Sequence, residues 1–114
     1  MSLELIGSFK QQLLEIGFKG DICLDTPTRL LNATDNSIYE VMPLAVIQPR
    51  DANDIGLLLQ VSNLVEYQSL NFCARGGGTG TNGQSLSNGL VIDFSRYMNK
   101  IVQVDVANKT AIVE

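Results

Sequence analysis

Residues 75–86 constrain the possible fold and function of this chain most, because they are rich in glycine and lie between two apolar runs. Half of the ten glycines fall here, namely Gly76, Gly77, Gly78, Gly80 and Gly83. Glycine tolerates φ > 0, which we expect at Gly77 or Gly78, so that successive N–H groups turn to one side and suit a phosphate oxygen. A plain hairpin needs only about two to five loop residues. We therefore predict an anion-binding loop.

Two well-known phosphate motifs overlap on these residues, and neither fits. Residues 78–83 satisfy G-x-G-x-x-G, but the dinucleotide fingerprint requires a helix to open at the loop. The following run, residues 90–94, is β-branched and aromatic and predicts a strand. The triphosphate-binding loop requires a lysine where this chain has Gln84. Since a neutral amide brings no charge to a phosphate, we set both motifs aside.

Two stretches, ARGGGTGTNG at 74–83 and GLVIDFSRYMNKI at 89–101, resemble a known family. They are similar to the pyrophosphate segment of FAD-linked oxidases of the vanillyl-alcohol oxidase / p-cresol methylhydroxylase (PCMH) type. They are most similar to the D-lactate, glycolate and D-2-hydroxyglutarate dehydrogenase branch, in its large form with a C-terminal iron–sulfur region. Arg29, residues 34–39 and Pro43 also resemble the lead-in of this family. For Asp35 and Ser37 we expect bonds to their own backbone rather than substrate contact.

The resemblance implies FAD as cofactor and a small D-2-hydroxy acid as substrate of the full-length enzyme, with hydride passing to flavin N5. The glycine N–H groups would hold the diphosphate, and Thr79 and Ser85 would add hydroxyl hydrogen bonds. For Arg75, balancing phosphate charge and lying on the surface both stay open. The predicted cofactor-binding residues are Arg75, Gly76, Gly77, Gly78, Thr79, Gly80, Thr81, Asn82, Gly83, Gln84 and Ser85.

The resemblance also bears on cofactor attachment and on metals. Several relatives attach FAD covalently through the histidine of R-x-G-G-H, and Thr79 stands at that position, so we predict non-covalent FAD. We predict no catalytic residue and no metal ligand in these 114 residues. An iron–sulfur cluster would belong to the C-terminal region of the full-length protein.

Composition excludes several classes of protein. The chain is 45% hydrophobic and 18% charged, with a net charge of -4 and no cluster of Lys and Arg, which argues against a nucleic-acid partner. No apolar run reaches about 18 residues and no secretion signal is visible, so we predict a cytoplasmic protein without an integral membrane segment. Cys23 and Cys73 are too few for a disulfide framework; we expect both reduced, with Cys73 in the core. The absence of histidine removes the commonest general base.

Residues 1–42 are predicted to form an N-terminal helix and an irregular lead-in. Ser2 is the expected N-cap of the helix and Gly17 or Gly20 its end. A short helical turn is expected from Thr26 to Leu31. The apolar stripe of the first helix is predicted at Ile6, Phe9, Leu13 and Ile16.

Residues 43–114 are predicted to be the first subdomain of a PCMH-type FAD-binding domain. A strand fills the proline-bounded run 43–49, and Asp51 caps a helix that ends near Glu66. The apolar stripe of this helix is predicted at Ile55, Leu58, Leu59, Ser62 and Val65. Further strands are predicted at 70–74, 90–94, 101–106 and 110–113, with a turn at 107–109.

The predicted fold class is α+β: a small mixed sheet with a βαβ unit, covering helices and a C-terminal hairpin. The first two strands should be parallel and the later ones antiparallel. The sequence stops directly after an apolar strand, so we expect a truncated fragment that is inactive alone, holds FAD weakly and self-associates through exposed apolar surface. A free-standing anion- or nucleotide-binding module and a structural interaction domain stay open as alternatives. A thermal shift that depends on FAD would favour a binding function, whereas indifference to FAD, AMP and phosphate would favour the interaction domain.

Overall fold

A four-stranded sheet forms the centre of the computed structural model, which describes residues 3–114. Its strands are β1 (Asp21–Cys23), β2 (Ala45–Gln48), β3 (Phe72–Arg75) and β4 (Leu90–Asp93). Their order is β1-β2-β4-β3, with β1 antiparallel to β2, and with β2 and β3 both parallel to β4. β2 and β4 are the two inner strands, and every residue of β4 is buried.

The direction of β4 corrects the predicted topology. Val91 of β4 lies opposite Val46 on one side and Cys73 on the other, in parallel register on both. The strands after the glycine segment were predicted to be antiparallel, which is wrong for β4. A parallel pair needs a crossover of about a dozen residues or more, and residues 76–89 supply it without a helix. The chain therefore leaves β3 at the carboxyl edge of the parallel strands, and the glycine-rich loop begins there.

Helix α1 (Leu3–Glu15) contributes side chains to the hydrophobic core that packs against the sheet. Ile6, Phe9 and Leu13 are buried. They belong to one apolar cluster with residues of β2, β4 and the helix Ala52–Ser62. This cluster joins the predicted lead-in and the predicted subdomain into one packed unit. The proposed N-cap, Ser2, lies outside the described residues.

The end of α1 confirms the predicted stop at Gly17. Gly17 has φ +96, its N–H donates to Leu14 O at 3.2 Å, and the N–H of Phe18 donates to Leu13 O at 3.0 Å. These two bonds form a Schellman motif, in which glycine accommodates the left-handed backbone. Ile16 is 39% exposed, contrary to the prediction, because it lies past the last helical residue.

The segment between α1 and β2 is more ordered than predicted. β1 was not predicted, since three residues are too few to show a period. Helix α2 (Thr26–Leu31) occupies the predicted range, and its N-cap Asp25 accepts the N–H of Thr28 at 2.9 Å. An N-cap of this kind satisfies one of the N–H groups that a helix start leaves unpaired.

Helix α3 (Ala52–Ser62) begins at the predicted cap but ends early. The carboxylate of Asp51 accepts the N–H of Asp54 at 2.9 Å, as expected of an N-cap. The helix stops at Ser62 rather than near Glu66, and a single 3₁₀ turn, Val65–Tyr67, follows.

The buried face of α3 is rotated from the predicted stripe. Asp54, Leu58 and Val61 are buried, whereas Leu59 is 52% and Val65 83% exposed. Asp54 is accommodated in the interior because its carboxylate accepts the backbone N–H groups of Lys19 and Arg50, at 3.0 and 2.9 Å. A buried polar group requires such partners. This carboxylate therefore joins the segment that follows α1 to the start of α3.

Strands β5 (Ile101–Asp105) and β6 (Thr110–Val113) form a separate antiparallel hairpin, as predicted. The turn between them falls at the predicted residues, with Lys109 at φ 53. A bulge between Ile101 and Gln103 places Ile101 opposite Val113. Both side chains are exposed, at 70% and 63%. Exposed apolar surface of this kind favours association, and self-association stays a prediction.

Candidate anion-binding site

The backbone of the glycine-rich loop follows a path that requires glycine at Gly78 and Gly83. Their φ angles are +66 and +75, a region that side-chain-bearing residues enter only with strain. A Cβ on Gly78 would lie 2.3 Å from Nη2 of Arg75. Gly77, by contrast, has no positive φ, and its Cβ would meet only the Thr79 methyl group at 3.6 Å. The structure thus assigns the steric requirement to Gly78 and not to Gly77.

A row of free backbone donors runs along this loop. The N–H groups of residues 76–81 make no hydrogen bond to any group in residues 3–114. The row ends at Asn82, whose N–H donates to Oε1 of Gln84 at 3.0 Å. Backbone N–H groups are obligatory donors, and consecutive free ones on a glycine-rich turn form a concave anion site. The loop therefore has unpaired backbone donors at the residues predicted to hold the diphosphate, and anion binding at these donors stays a prediction.

Arg75 lies against this loop and not out on the protein surface. Its Nη2 donates to the carbonyl oxygen of Thr34 at 2.8 Å, and its guanidinium is packed beside Gly78. Its Nη1 is buried and has no partner in the described part of the chain. Buried donors are normally satisfied. Arg75 therefore places a positive charge beside Gly78, within the row of free N–H groups.

A turn at residues 34–37 contacts the loop. The carboxylate of Asp35 accepts the N–H of Ser37 at 2.8 Å, and Oγ of Ser37 accepts the N–H of Tyr39 at 3.1 Å, so the expected local bonds of Asp35 and Ser37 are confirmed. The N–H of Asn36 also donates to the carbonyl oxygen of Gly80 at 3.1 Å. The sequence did not predict this long-range contact, because no periodicity or motif links residue 36 to residue 80.

The other predicted site residues divide into two groups. Thr79 and Thr81 are exposed on the open part of the loop, and their hydroxyl groups bond to nothing in residues 3–114. Ser85 is buried, and its Oγ donates to Oδ2 of Asp35 at 3.4 Å. The Gln84 side chain lies against Gly80. The structure thus places residues 75–81 along one open row, whereas Asn82, Gly83, Gln84 and Ser85 close the loop.

The charge state of the nearby groups follows from their contacts. The hydrogen bond from Ser37 is the main cause that lowers the pKa of Asp35, and Ser85 and Arg75 lower that pKa further. Burial raises the pKa of the Cys73 thiol. Cys73 is half-buried on the edge strand, not in the core as predicted, and its Sγ donates to Gln84 O at 3.0 Å. A protonated thiol is a poor nucleophile, so Cys73 acts here as a donor that helps close the loop.

Residues 3–114 contain no group of three or more cysteine, aspartate or glutamate side chains arranged to hold a metal ion. None of the helices in this range combines the length and apolar character needed to cross a bilayer.

The sequence and fold place the chain in a known family. Residues 43–114 match the family described as FAD binding domain. The match covers more than half of the chain, which therefore belongs to this family. The loop with its free donors lies within the matched residues.

Curated relatives with similar sequences are much longer proteins. D-2-hydroxyglutarate dehydrogenase of Escherichia coli (strain K12) is 44% identical over 103 residues, which cover 90% of this chain and 10% of the relative. Glycolate oxidase subunit GlcD of Bacillus subtilis (strain 168) is 32% identical over 108 residues, which cover 92% of this chain and 22% of the relative. The chain thus spans about a tenth of the length of the dehydrogenase.

Solved structures share the fold. Physcomitrella patens BBE-like 1 superposes with a TM-score of 0.71 at 22% identity, over 92% of this chain and 22% of that protein. The 4-ethylphenol oxidase from Gulosibacter chungangensis gives a TM-score of 0.72 at 17% identity, over 92% and 21%. The predicted class, an α+β fold of the PCMH-type FAD-binding kind, is confirmed.

Proposed function

We propose that the glycine-rich loop binds the diphosphate of FAD. The observation that carries the proposal is the row of free N–H groups at residues 76–81, beside a buried guanidinium nitrogen of Arg75 that has no partner. Hydrogen bonds to a diphosphate would satisfy the N–H groups, and the positive charge of Arg75 would strengthen the attraction. The closing residues, from Asn82 to Ser85, would keep the row in shape.

Each part of the loop has its own task in this proposal. Gly76 and Gly77 leave open space where a side chain would stand, since a Cβ there would meet nothing closer than 3.6 Å, so a ligand can approach the backbone. The exposed hydroxyl groups of Thr79 and Thr81 add donors. Arg75 supplies the only positive charge within the loop segment, residues 75–86. FAD, when bound, supplies the hydride-accepting chemistry, and the protein supplies binding and orientation.

We further propose that the full-length protein is an FAD-linked oxidoreductase acting on the CH–OH group of a small D-2-hydroxy acid. The names of the relatives, D-2-hydroxyglutarate dehydrogenase and glycolate oxidase subunit GlcD, support this substrate class. The iron–sulfur cluster outside these residues and the cytoplasmic location stay predictions. No residue of this chain is assigned to the chemical step.

A comparison of ADP with riboflavin tests the loop assignment. ADP carries the diphosphate without the flavin ring, and riboflavin carries the ring without the diphosphate. We expect ADP to give a saturable chemical-shift response in the millimolar range, equivalent to about 4 kcal/mol of binding, and riboflavin to give none. A response to riboflavin alone would refute the diphosphate assignment.

The mode of FAD attachment gives a separate expectation. Thr79 stands where covalently flavinylated relatives have the histidine, and its hydroxyl is not a comparable nucleophile for the flavin methyl carbon. We therefore expect acid precipitation of the full-length protein to leave all FAD in the supernatant. Flavin absorbance in the washed pellet would contradict non-covalent binding.

The affinity of this chain alone for FAD should be low. The loop offers hydrogen bonds to the phosphates, but a ring system left in water contributes little apolar burial to offset the lost translational and rotational freedom. Titration with FAD should give no saturation below roughly 0.1 mM, equivalent to about 5.5 kcal/mol. Tight one-to-one binding, or reduction of added flavin by D-2-hydroxyglutarate, would show that these residues suffice.

A further inference from the structure

We propose that the turn at residues 34–37 positions the donors of the anion-binding loop, and that Asp35 is the positioning residue that keeps this turn in shape. The inference rests on the proposed diphosphate-binding function. The N–H of Asn36 donates to the carbonyl oxygen of Gly80 at 3.1 Å. The side-chain amide of Asn36 lies 3.5 Å from the carbonyl oxygen of Thr79. The turn thus holds two consecutive carbonyl groups of the loop.

The geometry of the peptide unit links these two carbonyl groups to the N–H donors of the loop. In a trans peptide the C=O and the N–H of one unit point in opposite directions, and the chain has no cis peptide bond in its described residues. A carbonyl oxygen of Gly80 held by the turn therefore directs the N–H of Thr81 away from it. The same holds for the Thr79 carbonyl and the N–H of Gly80. These two N–H groups belong to the row that has no protein partner.

Asp35 keeps the turn in the conformation that presents Asn36. Its Oδ1 accepts the N–H of Ser37 at 2.8 Å, and its Oδ2 accepts Oγ of Ser85 at 3.4 Å. Arg75 fixes the start of the turn through its bond to the carbonyl oxygen of Thr34. The turn is thereby joined to both ends of the loop. The main contact to the donor row is a backbone N–H, so the side chain of Asn36 is less important than that of Asp35.

The charge of Asp35 makes the inference testable by the sign of an effect. A carboxylate beside an anion site repels the anion. If Asp35 acted only through its charge, removing that charge would strengthen binding in any variant. If Asp35 positions the loop, Asp35→Ala weakens binding although it removes the repulsion. Asp35→Asn keeps an oxygen that can accept the N–H of Ser37, and so keeps binding.

The experiment measures ADP affinity from amide chemical shifts in four forms of the chain: wild type, Asp35→Ala, Asp35→Asn and Asp25→Ala. Asp25 is the matched control, because its carboxylate also accepts a local backbone N–H, but at the start of α2. We expect Asp35→Ala to bind roughly fivefold more weakly, as loss of a hydrogen bond or two implies. The responses of Gly80 and Thr81 should fall most. Asp35→Asn and Asp25→Ala should match the wild type within about twofold.

The outcomes separate this inference from the function on which it rests. If the wild type binds ADP through the loop and Asp35→Ala binds it equally well or more tightly, the positioning role is wrong and the diphosphate site stands. A wild type that shows no loop response to ADP refutes the proposed function. Equal weakening in Asp35→Ala and Asp25→Ala also overturns the inference, since it would report a general loss of stability.

Discussion

Replacing Gly78 by valine is expected to abolish ADP binding by the loop. Gly78 has φ +66, and a Cβ there would lie 2.3 Å from the Arg75 guanidinium. A β-branched residue at this φ costs about 1–3 kcal/mol in strain, and the collision displaces the one charged group of the loop. The backbone then moves to a new path, so the row of N–H groups is no longer presented as in the wild type. We expect the ADP response to stop saturating at any accessible concentration.

Gly76→Ala provides the control for this variant. Gly76 lies in the same loop, but it has no positive φ and a Cβ there would meet nothing within 4 Å. The free energy of unfolding of the Gly76→Ala variant should stay within about 0.5 kcal/mol of the wild-type value. Urea denaturation of both variants separates strain from the mere addition of a side chain. Gly78→Val that folds and binds ADP like the wild type would show that this loop is not the phosphate site.

Replacing Phe9 by alanine is expected to destabilise the whole chain by about 3–5 kcal/mol. Phe9 is 1% exposed, and its ring packs edge-on against Tyr67, with the ring centroids 5.1 Å apart. A domain of this size has a total stability of roughly 5–15 kcal/mol, so the variant loses a large share of it. The measurement is the free energy of unfolding from urea denaturation followed by circular dichroism.

Leu14→Ala is the matched control on the same helix. Leu14 is 51% exposed, so its truncation should cost less than about 1 kcal/mol. Comparable losses in the two variants would mean that α1 does not pack in the described orientation. A loss below about 1 kcal/mol for Phe9→Ala would mean that the lead-in residues fold apart from the sheet.

Local signals in the sequence predicted most elements, because their causes are local. Asp51 caps α3 and Gly17 ends α1, and each acts on backbone groups within a few residues. The hairpin at 101–113 follows from alternation around a polar turn. The rotated face of α3 was missed because Asp54 is buried by partners from distant segments, Lys19 and Arg50. Helical periodicity treats an aspartate as solvent-facing.

Local signals in the sequence did not predict the order of the strands in the sheet. Strand direction depends on where the connecting chain runs, and residues 76–89 have no helical period that would reveal a crossover. The loop is nevertheless long enough for one. β4 lies between β2 and β3, and all four of its residues, Leu90 to Asp93, are buried, as expected of a strand covered on both faces.

The residues of the candidate site were predicted from the sequence, but the contacts that support the loop were not. The glycines predicted a loop whose backbone can be approached closely, and Gly76 and Gly77 have that open space, whereas anion binding stays a prediction. The sequence left the role of Arg75 open, and the structure places its guanidinium beside Gly78. The contact of Asn36 with Gly80 joins segments that no local pattern connects. Ser85 donates to Asp35 in the structure, and its predicted bond to a phosphate stays a prediction.

The most direct test of the diphosphate assignment is a titration of the uniformly ¹⁵N-labelled chain with inorganic pyrophosphate, read residue by residue. We expect saturable chemical-shift changes of the amides of residues 76–81 and none at the hairpin turn, residues 107–109. Arg50 and Arg96, whose guanidinium groups lie 4.7 and 5.5 Å from the Tyr97 ring centroid, form an exposed cationic pair elsewhere. Shifts confined to those residues, with the loop amides unchanged, would contradict the assignment of the glycine-rich loop as the diphosphate site.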